Sequence, residues 1–353
     1  MLTMKLTRIP ILLTGAGSEL AFGIIKASRL SRLPLEVVGC DADPEALGLR
    51  WVEHAEIVPR ADREPERFVR HVFDLVRQYG IRAIVVTPDA ELDLLPAYRE
   101  ELLDRFSCHL LVSSKPEMDR FHDKWSAFEW YRDHDLPTPE TVLGEDAVGI
   151  DSLIEEHGFP LIVKPRQGGG SRSLFCATNR VELDKYIAVV DRPIVQPLVG
   201  DDDNEFTAGT FRTRDDRILT IVMQRQLKFG MTYKARTVQD SRLHHACAEI
   251  MQKTNLEGVN NIQFRTVGEA LRILEINPRF SGTSGIRAHF GFNELDLAIR
   301  HFVLGEEVDQ PHVLDGGVSR YMHESYSPSI SHTWSSYATK DHYEEAPIYA
   351  CQR

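Results

Sequence analysis

The residues best placed for metal and phosphate chemistry lie in one short segment, residues 275–279 (EINPR). Side chains alternate between the two faces of a strand, so Glu275 and Asn277 would point to the same face. Carboxylate and amide oxygens suit Mg²⁺, and the proline would end the strand so that Arg279 can turn toward a phosphate. Gln263, near the end of the preceding predicted strand, would supply a third oxygen. A solvent-exposed strand end followed by a turn gives the same pattern.

A lysine at the end of another predicted strand is followed by a glycine-rich loop. Lys164 closes the apolar run 161–164, and the loop covers residues 167–173 (QGGGSRS). Glycines let backbone N–H groups approach phosphate oxygens closely, and the ammonium would neutralise part of their charge. The residue order differs from the GxxxxGK[ST] phosphate loop. A flexible hairpin turn is the alternative interpretation of the glycines.

Two further segments suggest contacts to a nucleotide. Asp123 and Lys124 open a predicted helix, and the predicted strand 194–197 runs into an acidic turn that ends at Glu205. The edge of a strand can hydrogen-bond adenine through its backbone, and a carboxylate can accept bonds from ribose hydroxyls. Each of these segments alone is weak evidence for a nucleotide site, because single lysines and acidic turns are usually solvated.

The amino-terminal part holds a partial dinucleotide-binding pattern. Gly15 and Gly17 follow the first predicted strand and Asp41 ends the second, but the third glycine of GxGxxG is missing, which argues against a bound nicotinamide cofactor. Asp89 and Glu91 follow another strand of this unit. Ligands of open α/β sheets bind at strand carboxyl ends, so these two carboxylates are candidates for holding a substrate ammonium. An acidic first turn of a helix explains them equally well.

These residues need strands and helices to position them, and the first 115 residues alternate between the two. Apolar β-branched runs are separated by helical patterns, of which 68–76 is the clearest. The alternation predicts an α/β unit with a parallel sheet. The predicted strands are 9–13, 35–39, 81–86 and 109–112.

The remainder of the chain changes to α+β character. A predicted helix over 123–136 is stopped by Pro137 and Pro139, and a helix near 181–190 separates the strands 161–164 and 194–197. Successive strand-like runs then predict an antiparallel sheet with one helix inserted and a closing helix after it. The runs are 206–212, 218–227, 259–265 and 270–277, and the helices are 243–254 and 293–304. The Ser- and His-rich tail from residue 327 has no period.

The composition of the whole chain limits the classes of partner. Lys plus Arg of 41 against Asp plus Glu of 53 gives a net charge of −12, which disfavours non-specific binding to nucleic acid or anionic membranes. No apolar run approaches the roughly 20 residues of a membrane helix, and the first run is too short for a signal peptide, so we expect a cytoplasmic protein. The five scattered cysteines predict reduced thiols rather than disulfides or a zinc site.

Taken in their order along the chain, these segments resemble the ATP-grasp superfamily, in particular its carbamoyl-phosphate-synthase-like carboxylate-amine ligases. The family pattern begins with DK…PTP, continues with a FPxxVKP strand and a glycine loop, then VQ…E, and closes with EINPR. The resemblance runs from Ile9 to about Leu304. The matching segments are 123–124 with 137–139, 159–173, 195–196 with Glu205, and 275–279.

The resemblance implies a nucleotide site built by two lobes. Lys124 and Lys164 would contact the α- and β-phosphates of ATP, and Glu205 would accept hydrogen bonds from the ribose. Other residues would cover the phosphates or form the hinge that contacts adenine. They are Gly168, Gly169, Gly170 and Ser171 in the loop, and Gln196, Pro197 and Leu198 at the hinge.

The resemblance also implies a metal site and catalytic cations. Glu275, Asn277 and Gln263 would hold Mg²⁺, with Mn²⁺ as an alternative, and Arg279 and Lys164 would act on the transferring phosphoryl group. Gln263 stands where many family members have an acid, which predicts a lower metal affinity. The basic substrate loop of the family falls on 224–236. Its candidates for substrate contacts, in addition to Asp89 and Glu91, are Lys234 and Arg236.

The implied activity is formation of an amide or peptide bond between a small carboxylate and an amine, through an acyl phosphate, with release of ADP and phosphate. The alternatives are phosphorylation of a carbamate or carboxylate with another acceptor, an ATP-binding sensor without turnover, and a nicotinamide-dependent oxidoreductase. A homodimer is left open. The expected domains are a Rossmann-like pre-ATP-grasp domain (1–115), a first ATP-grasp lobe (116–195), a second lobe with the metal site (196–310) and a partly irregular extension (311–353).

Overall fold

The computed structural model describes residues 8–168 and 173–321. Its first part is a five-stranded parallel sheet in the order β3-β2-β1-β4-β5. The parallel sheet predicted from the alternating pattern is confirmed, and β3 is a strand that the pattern did not predict. The strands are β1 (Ile9–Thr14), β2 (Leu35–Asp41), β3 (His54–Ile57), β4 (Ala83–Val85) and β5 (His109–Leu110).

Helices cover both faces of this sheet, which explains why its strands are apolar throughout. In β1, Ile11 packs with Ile24 of the first helix, while the next residue, Leu12, packs with Phe68 of the second helix on the opposite face. Alternate residues of one strand therefore belong to two different cores. The helices of this part are α1 (Glu19–Leu30), α2 (Pro65–Tyr79), α3 (Asp89–Leu94), α4 (Arg99–Phe106) and α5 (Lys115–His122).

A four-stranded antiparallel sheet follows α6 (Lys124–Asp133), in the order β6-β9-β7-β8. Two helices, α7 (Ala147–His157) and α8 (Arg180–Val189), share a core with the face of this sheet that carries Leu161 and Val163. Lys164 alternates to the opposite face, away from that core. The strands are β6 (Val142–Leu143), β7 (Leu161–Pro165), β8 (Phe175–Ala177) and β9 (Pro193–Pro197).

The third sheet has six strands, in the order β14-β13-β10-β11-β12-β15. One face packs on α6 and α9 through residues such as Phe264 and Ile276, and the other face carries Glu205, Gln263 and Glu275. The strands are β10 (Glu205–Arg212), β11 (Ile218–Lys228), β12 (Met231–Val238), β13 (Gly258–Val267), β14 (Ala270–Asn277) and β15 (Gly317–Ser319). The helices here are α9 (Ser241–Lys253), α10 (Ser284–His289) and α11 (Glu294–Ala298), which continues into a π-helical turn, Ile299–Val303.

The sequence pattern predicted four of these six strands and missed β12 and β15. The missed strands pair with each other at one edge of the sheet, where alternating polar residues such as Lys234 and Arg236 weaken the apolar signal. The closing helix predicted at 293–304 is present as α11 and its π-helical turn. The tail from residue 327 lies outside the described residues.

Two features of composition can be compared with the described ranges. Within residues 8–168 and 173–321, no helix has the length and apolar character needed to cross a membrane. The four cysteines in these ranges, Cys40, Cys108, Cys176 and Cys247, are free thiols.

Candidate functional site

The centre of the candidate site is a meeting of Lys124, Lys164 and Glu275 from three different elements. Lys124 begins α6, and its ammonium lies 3.3 Å from Glu275 Oε1 at the end of β14 and donates to the carbonyl of Gly168 at 2.7 Å. Lys164 lies at the end of β7, and the charge of Glu275 acts on it. The start of α6, the β7 strand end and the β14 strand end therefore converge.

Asp123 and Arg166 hold this arrangement together. Asp123 caps α6 by accepting hydrogen bonds from the N–H groups of Trp125 and Ser126, and it forms an ion pair with Arg166 at 2.8 Å. The N–H of Lys124 donates to the carbonyl of Arg166 at 2.9 Å. The helix start that carries one lysine is thereby fixed to the strand end that carries the other. Arg166 was not among the predicted site residues, and its position directly after the VKP motif is the one signal for it.

The electrostatics of this cluster favour an anionic ligand. Burial lowers the pKa of Lys164 to about 8, and the nearby charge of Lys124 contributes to this shift while Glu275 partly opposes it. Burial alone would raise the pKa of Glu275, but Lys124, Lys164 and Arg279 hold this pKa below its ordinary value. Three cations thus face one carboxylate, and the excess positive charge is suited to phosphate oxygens.

The predicted metal ligands lie together on the polar face of the third sheet. Gln263 pairs directly with Glu275 across β13 and β14, and Asn261 pairs with Asn277. The side chain of Asn277 is buried beside Glu275, and it lowers the pKa of that carboxyl by hydrogen bonding. The oxygen donors of Glu275, Asn277 and Gln263 fit a hard divalent cation. Gln263 Oε1 also accepts a hydrogen bond from Arg225 at 2.8 Å.

Glu205, the predicted ribose acceptor, is held by two arginines. Its carboxylate lies 2.9 Å from Arg225 of β11 and 2.9 Å from Arg265 of β13, and the Glu205 and Arg225 side chains are each 8% exposed. Arg265 also contacts Asp202 at 2.7 Å. The sequence analysis placed Arg225 in the basic substrate segment 224–236 and did not name Arg265. It did not predict either pairing with Glu205, because these depend on the register of three strands rather than on a motif.

Asp89 joins the amino-terminal unit to the phosphate centre. The imidazole of His122 lowers the pKa of Asp89, burial opposes this shift, and the charges of Arg279 and Lys124 lower the pKa further. The carboxylate at the start of α3 is therefore within electrostatic range of the cations that the sequence predicted for phosphoryl transfer. An anionic group thus stands next to the cluster of cations rather than within it.

Glu91, two residues later, has a different environment. It is buried at the carboxyl ends of the first sheet, and its Oε2 has no partner among the described residues. Burial raises the pKa of Glu91 to about 8, the hydroxyl of Thr14 opposes the shift, and the charge of Asp41 adds to it. Glu91 is therefore a neutral acid at pH 7, and it is Asp89 that faces the phosphate centre as an anion.

The predicted adenine hinge lies at the end of β9. Gln196 is buried and donates from Nε2 to Thr141 Oγ1 at 2.6 Å, so its side chain supports the hinge. The N–H of Leu198 donates to the carbonyl of Pro160 at 3.2 Å. A pocket of about 640 Å³ opens beside Pro197 and Leu198, lined by residues 136–140, 159–160 and 197–199 and by His157 and Arg272.

Other predicted residues lie farther from this centre or outside the described ranges. Lys234 and Arg236 lie exposed on β12, four strands from β14 in the sheet order, which corresponds to roughly 19 Å at the usual strand spacing. Arg236 donates to Gln224 Oε1 at 2.6 Å. Gly169, Gly170 and Ser171 lie outside the described residues, whereas Gly168 adopts a φ of 95°, which favours glycine.

Comparison with known proteins gives one family and a set of related enzymes. Residues 195–324 match the model of a family described as ATP-grasp in the biosynthetic pathway with Ter operon. The chain is 25% identical to the carbamoyl phosphate synthase large chain of Streptomyces avermitilis over 163 residues, 42% of this chain and 15% of that protein. It is 22% identical to D-aspartate ligase of Enterococcus faecium over 190 residues, 47% of this chain and 44% of that protein. The matches thus span less than half the length of these relatives.

The solved structures share the architecture over most of the chain. N5-carboxyaminoimidazole synthetase from Staphylococcus aureus, complexed with ADP, has a TM-score of 0.69 at 16% identity and covers 87% of this chain and 80% of its own. Biotin carboxylase from Campylobacter jejuni, in a β-γ-ATP complex, has a TM-score of 0.65 at 15% identity and covers 87% of this chain and 74% of its own. These likenesses confirm the predicted fold class, a Rossmann-like unit followed by the ATP-grasp fold.

Proposed function

We propose that this chain, whose residues 195–324 match a model of an ATP-grasp family, is an ATP-dependent carboxylate-amine ligase that forms an amide or peptide bond through an acyl phosphate. Its substrates are a small carboxylate, an amine and ATP, and its products include ADP and phosphate. The observation that carries this proposal is the convergence of Lys124, Lys164 and Arg279 on Glu275, at the ends of elements from separate sheets.

In this proposal each cation has a defined role. Lys124 and Lys164 bind the phosphates of ATP, and the carbonyl of Gly168 accepts a hydrogen bond from Lys124 and so positions its ammonium. Arg279 binds the γ-phosphoryl group and then the acyl phosphate. Because these cations are held in place before ATP binds, they stabilise the spreading charge of the transferring phosphoryl group without reorganisation.

Glu275, Asn277 and Gln263 are the proposed ligands of Mg²⁺, with Mn²⁺ as an alternative. When bound, the metal neutralises phosphate charge and orients the transferred group. Glu275 is the single carboxylate of this donor set, and its lowered pKa keeps it ionised at neutral pH. The two amides add oxygens without charge, which is consistent with a weakly bound metal that arrives with ATP.

The remaining predicted contacts belong to the same proposal. Glu205, together with its two arginines, is proposed to face the ribose. The hinge at Gln196, Pro197 and Leu198 is proposed to face adenine with backbone carbonyls, since Pro197 has no N–H and the N–H of Leu198 is donated to Pro160. Asp89 is proposed to hold the ammonium of the amine substrate. We also propose the domain boundaries predicted from the sequence: the first domain ends near residue 115, and the two ATP-grasp lobes divide near residue 195. A cytoplasmic location is part of the same proposal.

The nicotinamide alternative conflicts with the packing of the glycine turn after β1. The N–H of Gly17 donates to Asp41 Oδ2 at 2.8 Å, so an anionic side chain occupies the position that a pyrophosphate would need. A Cβ atom on Gly15 would lie 2.3 Å from Pro88, and one on Gly17 would lie 2.9 Å from Ala46. These glycines therefore permit close packing of the turn.

The test is a screen of ADP release against pairs of amino acids and small carboxylates, followed by hydroxylamine trapping in the absence of amine. A ligase of this type gives ADP, and hydroxylamine converts its acyl phosphate to a hydroxamate. Lys164→Ala should abolish both signals, whereas Lys185→Ala, an exposed lysine on α8, should retain both. AMP as the nucleotide product would exclude the acyl-phosphate mechanism. Basal ATP binding without turnover under every pair would favour the sensor alternative.

A further inference from the structure

His122 occupies a position beside the phosphate centre that no motif predicted. It is the last residue of α5 and precedes the Asp123-Lys124 pair, and its side chain is 17% exposed. Its Nδ1 lies 2.7 Å from Asp93 Oδ1, and its Nε2 lies 3.7 Å from Asp89 Oδ1. Both carboxylates come from α3, at the carboxyl end of the first sheet.

These two contacts assign a different role to each ring nitrogen of His122. The short contact with Asp93 assigns the ring proton to Nδ1, because a carboxylate only accepts. The lone pair of Nε2 then faces the space shared with Asp89. Because Nε2 and Asp89 Oδ1 are only 3.7 Å apart, an ammonium that lies beside them can donate hydrogen bonds to both atoms at once.

The charged groups around His122 are Asp89 and Asp93 of α3, and beyond Asp89 the cations Arg279 and Lys124. The carboxylate of Asp89 raises the pKa of His122, burial opposes the shift, and the charge of Asp93 raises the pKa further. The two carboxylates therefore stabilise the imidazolium that forms when Nε2 takes a proton from an ammonium.

We propose that His122 is the general base that removes a proton from the amine substrate, with Asp93 orienting the ring and Asp89 holding the ammonium. This inference rests on the proposed ligase function. One ammonium proton passes to Nε2, and the freed electron pair on nitrogen forms the new C–N bond with the acyl carbon. The bond from that carbon to the phosphate oxygen breaks, its electron pair leaves with phosphate, and the second proton of the attacking nitrogen goes to the departing phosphate.

The experiment separates the two nucleophiles that can attack the same acyl phosphate. Hydroxylamine is unprotonated at neutral pH and needs no base, whereas an alkyl ammonium does. His122→Asn and His122→Gln are assayed with the carboxylate and amine pair that releases most ADP in the screen above. Amide formation at pH 7 should fall by about 10²-fold, the usual effect of losing a general base, while hydroxamate formation stays within about twofold. The amide deficit should shrink as the pH rises toward the pKa of the free amine.

Two further variants serve as controls. His245→Asn removes an exposed histidine of α9 that contacts Glu249 at 3.2 Å, and it should change neither product. Asp93→Ala should lower amide formation and spare the hydroxamate, because the ring no longer has its orienting acceptor. Thermal unfolding is measured for each variant, so that a loss of both products counts against the base assignment only in a variant that is still folded.

The possible results divide clearly. Equal loss of amide and hydroxamate in His122→Asn, or an amide rate within about twofold of wild type, would overturn the base assignment and leave the ligase proposal standing. Failure of the wild-type protein to form any hydroxamate with the active pair would instead overturn the acyl-phosphate function, and the role of His122 with it.

Discussion

Glu275 and Glu205 lie on the same face of the same six-stranded sheet, yet their cations come from different places. Glu205 is paired with Arg225 and Arg265, which belong to neighbouring strands of that sheet. Glu275 faces Lys124, which begins α6, and lies within electrostatic range of Lys164, which ends a strand of the four-stranded sheet. The Glu205 side chain is 8% exposed and that of Glu275 is 20% exposed.

The origin of the cations distinguishes the ion pairs of Glu205, which lie within one sheet, from those of Glu275, which depend on whether a ligand is bound. Partners on one sheet stay together whatever the cleft contains, so the Glu205 cluster stabilises the fold in all states. Partners on separate elements can exchange each other for a ligand that binds between them, and the excess of cations around Glu275 favours that exchange with phosphates. A carboxylate identified by motif alone can therefore be structural, functional or both, and the origin of its partners distinguishes these cases.

The largest effect is expected for Glu275→Gln. Turnover of ATP should fall by about 10²- to 10³-fold, because the variant lacks the single anionic donor proposed for the metal. The free energy of unfolding should fall less than in Glu205→Ala, because the Lys124 and Glu275 side chains are 13% and 20% exposed whereas those of Glu205 and Arg225 are each 8% exposed. Coupled ADP release and urea unfolding measure the two quantities. Turnover equal to that of the wild type would remove Glu275 from the metal site.

Glu205→Ala should lower the stability of the fold more, and the turnover of ATP less, than Glu275→Gln does. It leaves Arg225 buried without a carboxylate, which should lower the free energy of unfolding by about 3 kcal/mol. Removal of the proposed hydrogen bond to the ribose should raise KM for ATP more than it lowers kcat, because such bonds change little during phosphoryl transfer. Glu269→Ala is the matched control, since its pair with Arg242 is exposed. An effect confined to kcat would contradict the ribose role.

A smaller effect is expected from the titration of Lys164, whose pKa is about 8 without ligand. Phosphates stabilise its charged form, so binding of Mg-ATP above pH 8 should take up a proton, and affinity should weaken by up to about tenfold per pH unit above 8. Calorimetry in buffers of different ionisation enthalpy measures this uptake. Lys164→Arg should abolish it, because arginine stays charged. Proton release on binding would contradict the assignment.

The smallest effect is expected for Glu91→Gln, a carboxylate without any cation partner in the described part of the chain. The pKa of Glu91 rises from 4.5 to about 8 on folding, so its favourable contribution to stability is complete below pH 4.5 and is lost as the pH rises to 8. The neutral amide does not titrate. The variant should therefore match the wild type near pH 4.5 and become the more stable protein at pH 8, as urea unfolding at several pH values would show. If the free energies of unfolding of variant and wild type changed in parallel with pH, Glu91 would already be ionised in the folded protein.

Much of this site was predictable because its motifs are local. The alternation in residues 275–279 places Glu275 and Asn277 on one face, and the lysine that ends β7 precedes the glycine loop directly, so strand period and loop composition suffice. The parallel and antiparallel sheets followed from the spacing of apolar runs. The edge strands β12 and β15 were missed because their pairing joins segments far apart in the chain, one of which has only three residues.

The sequence by itself determined many of the strands and helices and the residues at their ends, because these depend on periodicity, prolines and glycines within a few residues. It did not determine β3, β12 and β15. Only the tertiary structure decided which charges meet. The register of β10, β11 and β13 brings Arg225 and Arg265 to Glu205, the packing of α5 on α3 brings His122 to Asp93, and burial keeps Glu91 protonated. Pairing and burial depend on contacts between distant segments, and no local pattern encodes the energy of those contacts.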